Sequence, residues 1–114
     1  MTPAEYKKLT QPSEHFIQTQ IINYLKANNY FCMRLNSGKY SVGEGRSRRF
    51  IMGQDAGTPD LFALKDGQSY FLEVKKNKKM HPSPIQVEKM RQIESYGAVC
   101  HVLTSLEDCK EYGL

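Results

Sequence analysis

PDLFALKDGQSYFLEVKK, residues 59–76, is the stretch whose reading decides the fold. It contains two apolar runs, Leu61–Leu64 and Tyr70–Val74, joined by a turn that includes Asp66-Gly67. Asp-Gly between such runs predicts a β-hairpin, because tight hairpin turns need positive φ angles that glycine and aspartate tolerate. If Lys65 faces Gln68, the register follows: Phe62 meets Phe71, Leu61 meets Leu72, and Asp60 meets Glu73. Directly opposite side chains share a face with Cβ atoms about 4.5–5.5 Å apart, and like charges there are destabilising. Lys75 projects from the face of Glu73, and Leu61, Ala63, Leu72 and Val74 point to the other. Both strands are rich in apolar residues, so the sheet is expected to be covered on both sides. Two carboxylates then stand side by side where water is limited.

A divalent cation resolves that conflict. Mg²⁺ prefers oxygen ligands and is commonly held by one or two carboxylates while keeping several waters. Asp60 and Glu73 supply the carboxylates, and the carbonyl of Val74 is expected to add a third oxygen. A cation so held acidifies a water for in-line attack on phosphorus. Lys75 is expected to orient that water or to neutralise charge on the phosphoryl oxygens.

Upstream, Ser13 is the expected N-cap of a helix from Glu14 to Ala27, with Ile17, Ile21, Tyr24 and Leu25 as its buried stripe. Residues 1–12 read as a loose arm before a single domain, 13–114. Tyr30–Leu35 reads as a strand. The connection from Asn36 to Gly57 is rich in glycine and basic residues, with a short strand at Arg49–Met52. An irregular segment that long usually works or moves. Downstream, Ser83-Pro84 opens a second helix carrying Met90 and Ile93 inward and ending near Gly97. A strand, Ala98–Thr104, and a short helix capped by Ser105 complete an α/β order with a mixed central sheet flanked by helices.

The 114 residues fit one domain. Nothing approaches the roughly 18 continuous apolar residues of a membrane span. The opening MTPAEYKKLTQPSE has no apolar signal region, so a cytoplasmic chain without membrane partners is expected. Cys32, Cys100 and Cys109 have no metal-ligand spacing and read as small buried thiols. The three histidines likewise suggest no shared metal site. The net charge of +4 only hints at a polyanion, but its placement says more. Lys76, Lys78 and Lys79 follow the ExK strand, and Lys39, Arg46, Arg48 and Arg49 fall in the glycine-rich connection. Both groups are candidates for salt-sensitive contacts with a DNA backbone.

Pro59-Asp60, followed after twelve residues by Glu73-Val74-Lys75, resembles the motif of the PD-(D/E)XK nuclease superfamily. More narrowly, EHFIQTQIINYL, GTPDLFAL, YFLEVKK, PSPIQ and GAVCHVLTSLED are similar to the VRR-NUC (virus-type replication-repair nuclease) family. The resemblance runs from about Ser13 to Asp108 and implies a restriction-endonuclease-like core. It implies metal ligands at Asp60 and Glu73 and the assisting lysine at Lys75. It also implies a first-helix glutamate, Glu14, that contacts the metal or its water, and a helix glutamine, Gln86, that supports the site. Glu14 shares a helix face with Ile17, Gln18 and Ile21, although a first-turn acid also complements the helix dipole. Gln86 completes an S-x-x-Q capping box with Ser83, so capping and site contact both remain open.

The expected activity is Mg²⁺- or Mn²⁺-dependent endonucleolytic cleavage of DNA, selective for branched or Holliday-junction-like substrates. A homodimer, in a bacterial or phage-infected cell, is the expected form. The alternatives are a non-catalytic nucleic-acid-binding module and a sequence-specific restriction-type endonuclease.

Overall fold

The computed structural model describes residues 12–35, 39–42, 49–52 and 56–114, the two short middle segments by their backbone. Helix α1, Glu14–Ala27, starts where expected because Ser13 Oγ accepts the Phe16 N–H at 3.1 Å. That bond satisfies one of the amides a helix start leaves without a partner. Ile17, Ile21, Ile22 and Leu25 are its buried residues, and Tyr24 packs at the margin of the core.

Strand β1, Phe31–Arg34, follows. Within the connection that the sequence left mostly irregular, β2, Lys39–Val42, pairs antiparallel with β3, Arg49–Met52, as a separate two-stranded sheet. The expected strand at 49–52 is therefore present, and the sequence reading missed its partner.

Strands β4, Leu61–Lys65, and β5, Gln68–Val74, form the hairpin in the register derived from its turn. Asp66 and Gly67 both take positive φ, +51° and +80°, as a turn matched to the strand twist requires. Helix α2, Pro84–Ser95, then carries the chain over to β6, Val99–Leu103, which pairs parallel with β5. A parallel neighbour needs such a crossover. Helix α3, Leu106–Glu111, closes the chain with Ser105 as its N-cap. The main sheet has the order β1-β4-β5-β6, mixed and flanked by helices.

One face of this sheet buries Cys32, Leu61, Ala63, Leu72, Val74 and Leu103 against α1 and Cys109 of α3. Leu61, Leu72, Val74 and Leu103 are wholly buried. At about 1.5–3 kcal/mol for each fully buried large aliphatic side chain, this layer is the main cohesive contribution around the site. The opposite face is unequal. Helix α2 packs on β6, while Phe31, Met33 and Leu64 remain 58%, 45% and 37% exposed. Phe62 bridges this open half edge-to-face, with ring centroids 6.4 Å from Phe31 and 5.2 Å from Phe71. The expected cover on both sides is thus complete on one face and partial on the other.

Candidate metal centre

The hairpin brings Asp60, at the entrance to β4, alongside Glu73, near the end of β5. Asp60 is fixed by the backbone: its Oδ2 accepts the Val74 N–H at 2.8 Å, and its own carbonyl accepts the Leu35 N–H at 2.8 Å. Val74 thus meets the centre through its peptide N–H, with its side chain buried in the core on the other face.

Glu73 is 2% exposed, yet only one of its two oxygens is satisfied. Oε1 accepts from Gln86 Nε2 at 3.1 Å and lies 3.5 Å from the Lys75 ammonium. Oε2 is buried with no hydrogen-bond partner among the described residues. Burial, followed by the neighbouring Asp60 carboxylate, pushes the Glu73 carboxyl up to about 8 against the opposing pull of Lys75. An ionised carboxylate in that position costs free energy unless a cation joins it.

Helix α1 supplies the third acid. One oxygen from each of Glu14, Asp60 and Glu73 lies within 4.8 Å of the others. Two oxygens on opposite sides of a Mg²⁺ ion stand about 4.2 Å apart, since each Mg–O bond is about 2.1 Å. The three carboxylates are therefore close enough to share one hard cation once they draw in around it. The unpartnered Glu73 oxygen is an atom such an ion would satisfy, and an all-oxygen donor set suits Mg²⁺ or Mn²⁺.

Gln86 unites the two readings left open for it. Its Oε1 accepts from the Ser83 N–H at 2.9 Å, completing the capping box of α2, and from Lys75 Nζ at 3.0 Å. Its Nε2 donates to Glu73. A carbonyl oxygen facing two donors and an amide facing a carboxylate fix the orientation of the side chain. One residue thus starts the helix, tethers the lysine and holds the carboxylate.

Beyond β5 the basic run folds into a turn. Asn77 Oδ1 accepts the Lys79 N–H at 2.9 Å, and the Asn77 carbonyl accepts the Met80 N–H at 3.1 Å. Lys76 and Lys79 are exposed. Lys78 is also exposed and stands 3.9 Å from Asp108, a weak surface pair. Asp108 itself is held by Thr104, accepting from its N–H at 2.7 Å and its hydroxyl at 2.8 Å. Arg46 and Arg48 lie outside the described residues, as do the side chains of Lys39 and Arg49 and the arm formed by residues 1–11.

The sequence reading passed over Arg34. This residue ends β1, with its guanidinium held by Gln18 Oε1 at 3.2 Å and Thr19 Oγ1 at 2.7 Å on α1. The only signal for it was a single cation in the otherwise apolar run YFCMRL.

No protein-family profile matches the chain. No curated protein matches it either. A solved structure described as a VRR_NUC domain does, with a TM-score of 0.63 and 26% sequence identity. The alignment covers 86% of this chain and 90% of that one. No helix among the described residues is long and apolar enough to cross a membrane.

Proposed function

From the chain's relationship to the VRR-NUC domain, we propose that it is a Mg²⁺- or Mn²⁺-dependent DNA endonuclease selective for branched or junction DNA. The observation that carries this reading is the meeting of Glu14, Asp60 and Glu73 oxygens within 4.8 Å, one partner being buried and incompletely satisfied. When bound, the cation supplies charge neutralisation at the scissile phosphate and a more acidic water. Asp60, Glu73 and Glu14 hold it.

The remaining work falls to this chain's own groups. The Val74 N–H fixes Asp60, so that ligand is oriented before any ion arrives. Gln86 keeps the Lys75 ammonium beside Glu73, where it can donate to the attacking water or to a phosphoryl oxygen as charge develops. The exposed Lys76 and Lys79, with Lys78, contribute sequence-independent attraction for a phosphate backbone. Lys39, Arg46, Arg48 and Arg49 extend that attraction in the proposal. The open apolar half of the sheet around Phe31, Met33 and Leu64 supports a homodimer, which would present two such centres to a branched substrate.

The test is a panel of flaps, splayed arms, four-way junctions and linear duplex, incubated with Mg²⁺, Mn²⁺ or chelator. Wild type is expected to cut branched substrates only with metal, and Lys75→Ala to lose that activity while still binding DNA. Binding with no metal-dependent cuts would return the chain to a non-catalytic module. Discrete products from linear duplex would make it a sequence-specific enzyme.

A further inference from the structure

We infer that Arg34 binds a backbone phosphate of the nucleic-acid strand that crosses the acidic centre, a role that rests on the DNA-binding part of the proposed function. Sheet order and register place it there. The C-terminal end of β1, the entrance to β4 and the end of β5 lie side by side, so Arg34, Asp60 and Glu73 share one end of the sheet. Lys75 and the basic turn stand beyond β5, whereas Arg34 stands on the β1 side. Adjacent strands are about 4.8 Å apart, which puts the backbone of Arg34 about 10 Å from that of Glu73. Arg34, the partner of Leu61, projects from the α1 face, and Lys75 from the face of Glu73, so cations flank the acids on both faces of this end of the sheet.

The side chain is prepared for such a contact. A guanidinium has five N–H donors. Gln18 and Thr19 take one each, leaving three. Both partners are neutral, and among the described residues no carboxylate lies within salt-bridge distance of Arg34. The charge is therefore held in place without being neutralised. Arg34 is exposed at its residue position, so an incoming phosphate does not have to displace a packed group. A planar fork already ordered by two hydrogen bonds loses less rotamer freedom on meeting a phosphate than a free side chain does. A staple serving only to tie β1 to α1 would not need a charge left uncompensated beside a phosphate-handling centre.

The experiment measures junction-DNA affinity in Ca²⁺ across a salt series for wild type, Arg34→Gln, Arg34→Lys and Thr19→Ala, with thermal unfolding and Mn²⁺ titration alongside. Arg34→Gln is expected to weaken binding about tenfold near 0.1 M salt and to lower the slope of log affinity against log salt by about 0.9, the contribution of one phosphate contact. Its Mn²⁺ affinity is expected to match wild type. Arg34→Lys is expected to keep the slope while binding less tightly, because it keeps the charge and loses the fork. Thr19→Ala is expected to reduce affinity with the slope unchanged. An unchanged salt slope in Arg34→Gln, with only its melting temperature lowered, would leave Arg34 as a staple and overturn the inference. A wild type that binds DNA and never cleaves it would sink the endonuclease reading while these binding results still decide Arg34. A wild type with no affinity for DNA would overturn both.

Discussion

Gln86 donates to Oε1 of Glu73 at 3.1 Å, while Oε2 of the same buried carboxylate has no hydrogen-bond partner among the described residues. One oxygen is positioned, and the other is the atom that a bound cation would satisfy. Buried polar atoms in folded proteins are nearly always paired, so an orphan beside two further carboxylates points to a ligand the chain is built to receive.

Replacing Asp60 separates its two tasks. Asp60→Asn keeps an acceptor for the Val74 N–H and removes a charge. Unfolding in chelator should therefore match wild type within about 1 kcal/mol, while Mn²⁺ binding by calorimetry falls more than tenfold. Asp60→Ala also strands the Val74 N–H and should cost a further 1–3 kcal/mol or so. Equal stability for the two variants would show that the 2.8 Å bond contributes little.

Glu73 predicts a pH signature for the metal-free protein. A carboxyl near 4.5 in the unfolded chain and at about 8 in the fold lets the native state bind the extra proton between those values. Its contribution is therefore full below the unfolded value and is lost as pH rises through the folded one. In chelator, the melting temperature of wild type should fall relative to Glu73→Gln from about pH 4.5 to about pH 8. Mn²⁺ affinity should rise over the same interval, because the ion competes with that proton. A pH-independent difference between the two proteins would contradict the assignment.

Gln86→Ala removes the capping box and the Lys75 tether together. Ser83 Oγ still caps the helix, so losing the reciprocal bond to the Ser83 N–H should cost only about 0.5–1.5 kcal/mol in urea unfolding. Single-turnover cleavage at saturating metal should slow by about 10- to 100-fold, the range for groups that orient metal ligands. A stability loss with an unchanged cleavage rate would confine Gln86 to capping.

Gly57 and Gly67 make a paired test of crowding. Both take positive φ, +82° and +80°. A Cβ on Gly57 would come within 2.7 Å of the Ile85 carbonyl oxygen in the first turn of α2, whereas one on Gly67 meets nothing within 4 Å. Gly67→Ala should cost about 1–2 kcal/mol from backbone conformation alone. Gly57→Ala should cost more in urea unfolding and also slow cleavage, because the displaced helix start carries Gln86. Equal costs and an unaltered rate would mean that α2 moves aside without consequence.

Much of this centre was legible because local chemistry and global fold agree. Asp66-Gly67 set the hairpin register, and alternation then put Glu73 on the opposite face from Leu72 and Val74. Ser13, Ser83 and Ser105 marked the three described helix starts by their capping chemistry. What the sequence could not convey is three-dimensional reach. The Val74 carbonyl was expected as an oxygen for the cation, and the hydrogen bond from the Val74 N–H to Asp60 was not foreseen, because its direction depends on how the strand ends. Arg34 gave little sign because its partners, Gln18 and Thr19, lie on another element about fifteen residues away. Strand β2 was missed because Lys39–Val42 carries two polar residues and lies among glycines, whereas the Phe-Ile-Met run of its four-residue partner β3 signalled a strand.

The two-residue turn at Asp66-Gly67 imposes a rule of parity on the gene. One codon gained or lost within the hairpin would rotate the rest of β5 by half a pleat, turning Leu72 toward the side of Asp60 and Glu73 into the oily layer against α1. Point substitutions there can be absorbed one by one, but a single-residue change of length exchanges the reactive side with the cohesive side at a stroke. The spacing between the two acids therefore matters as a count, odd or even, before the identity of the residues between them does.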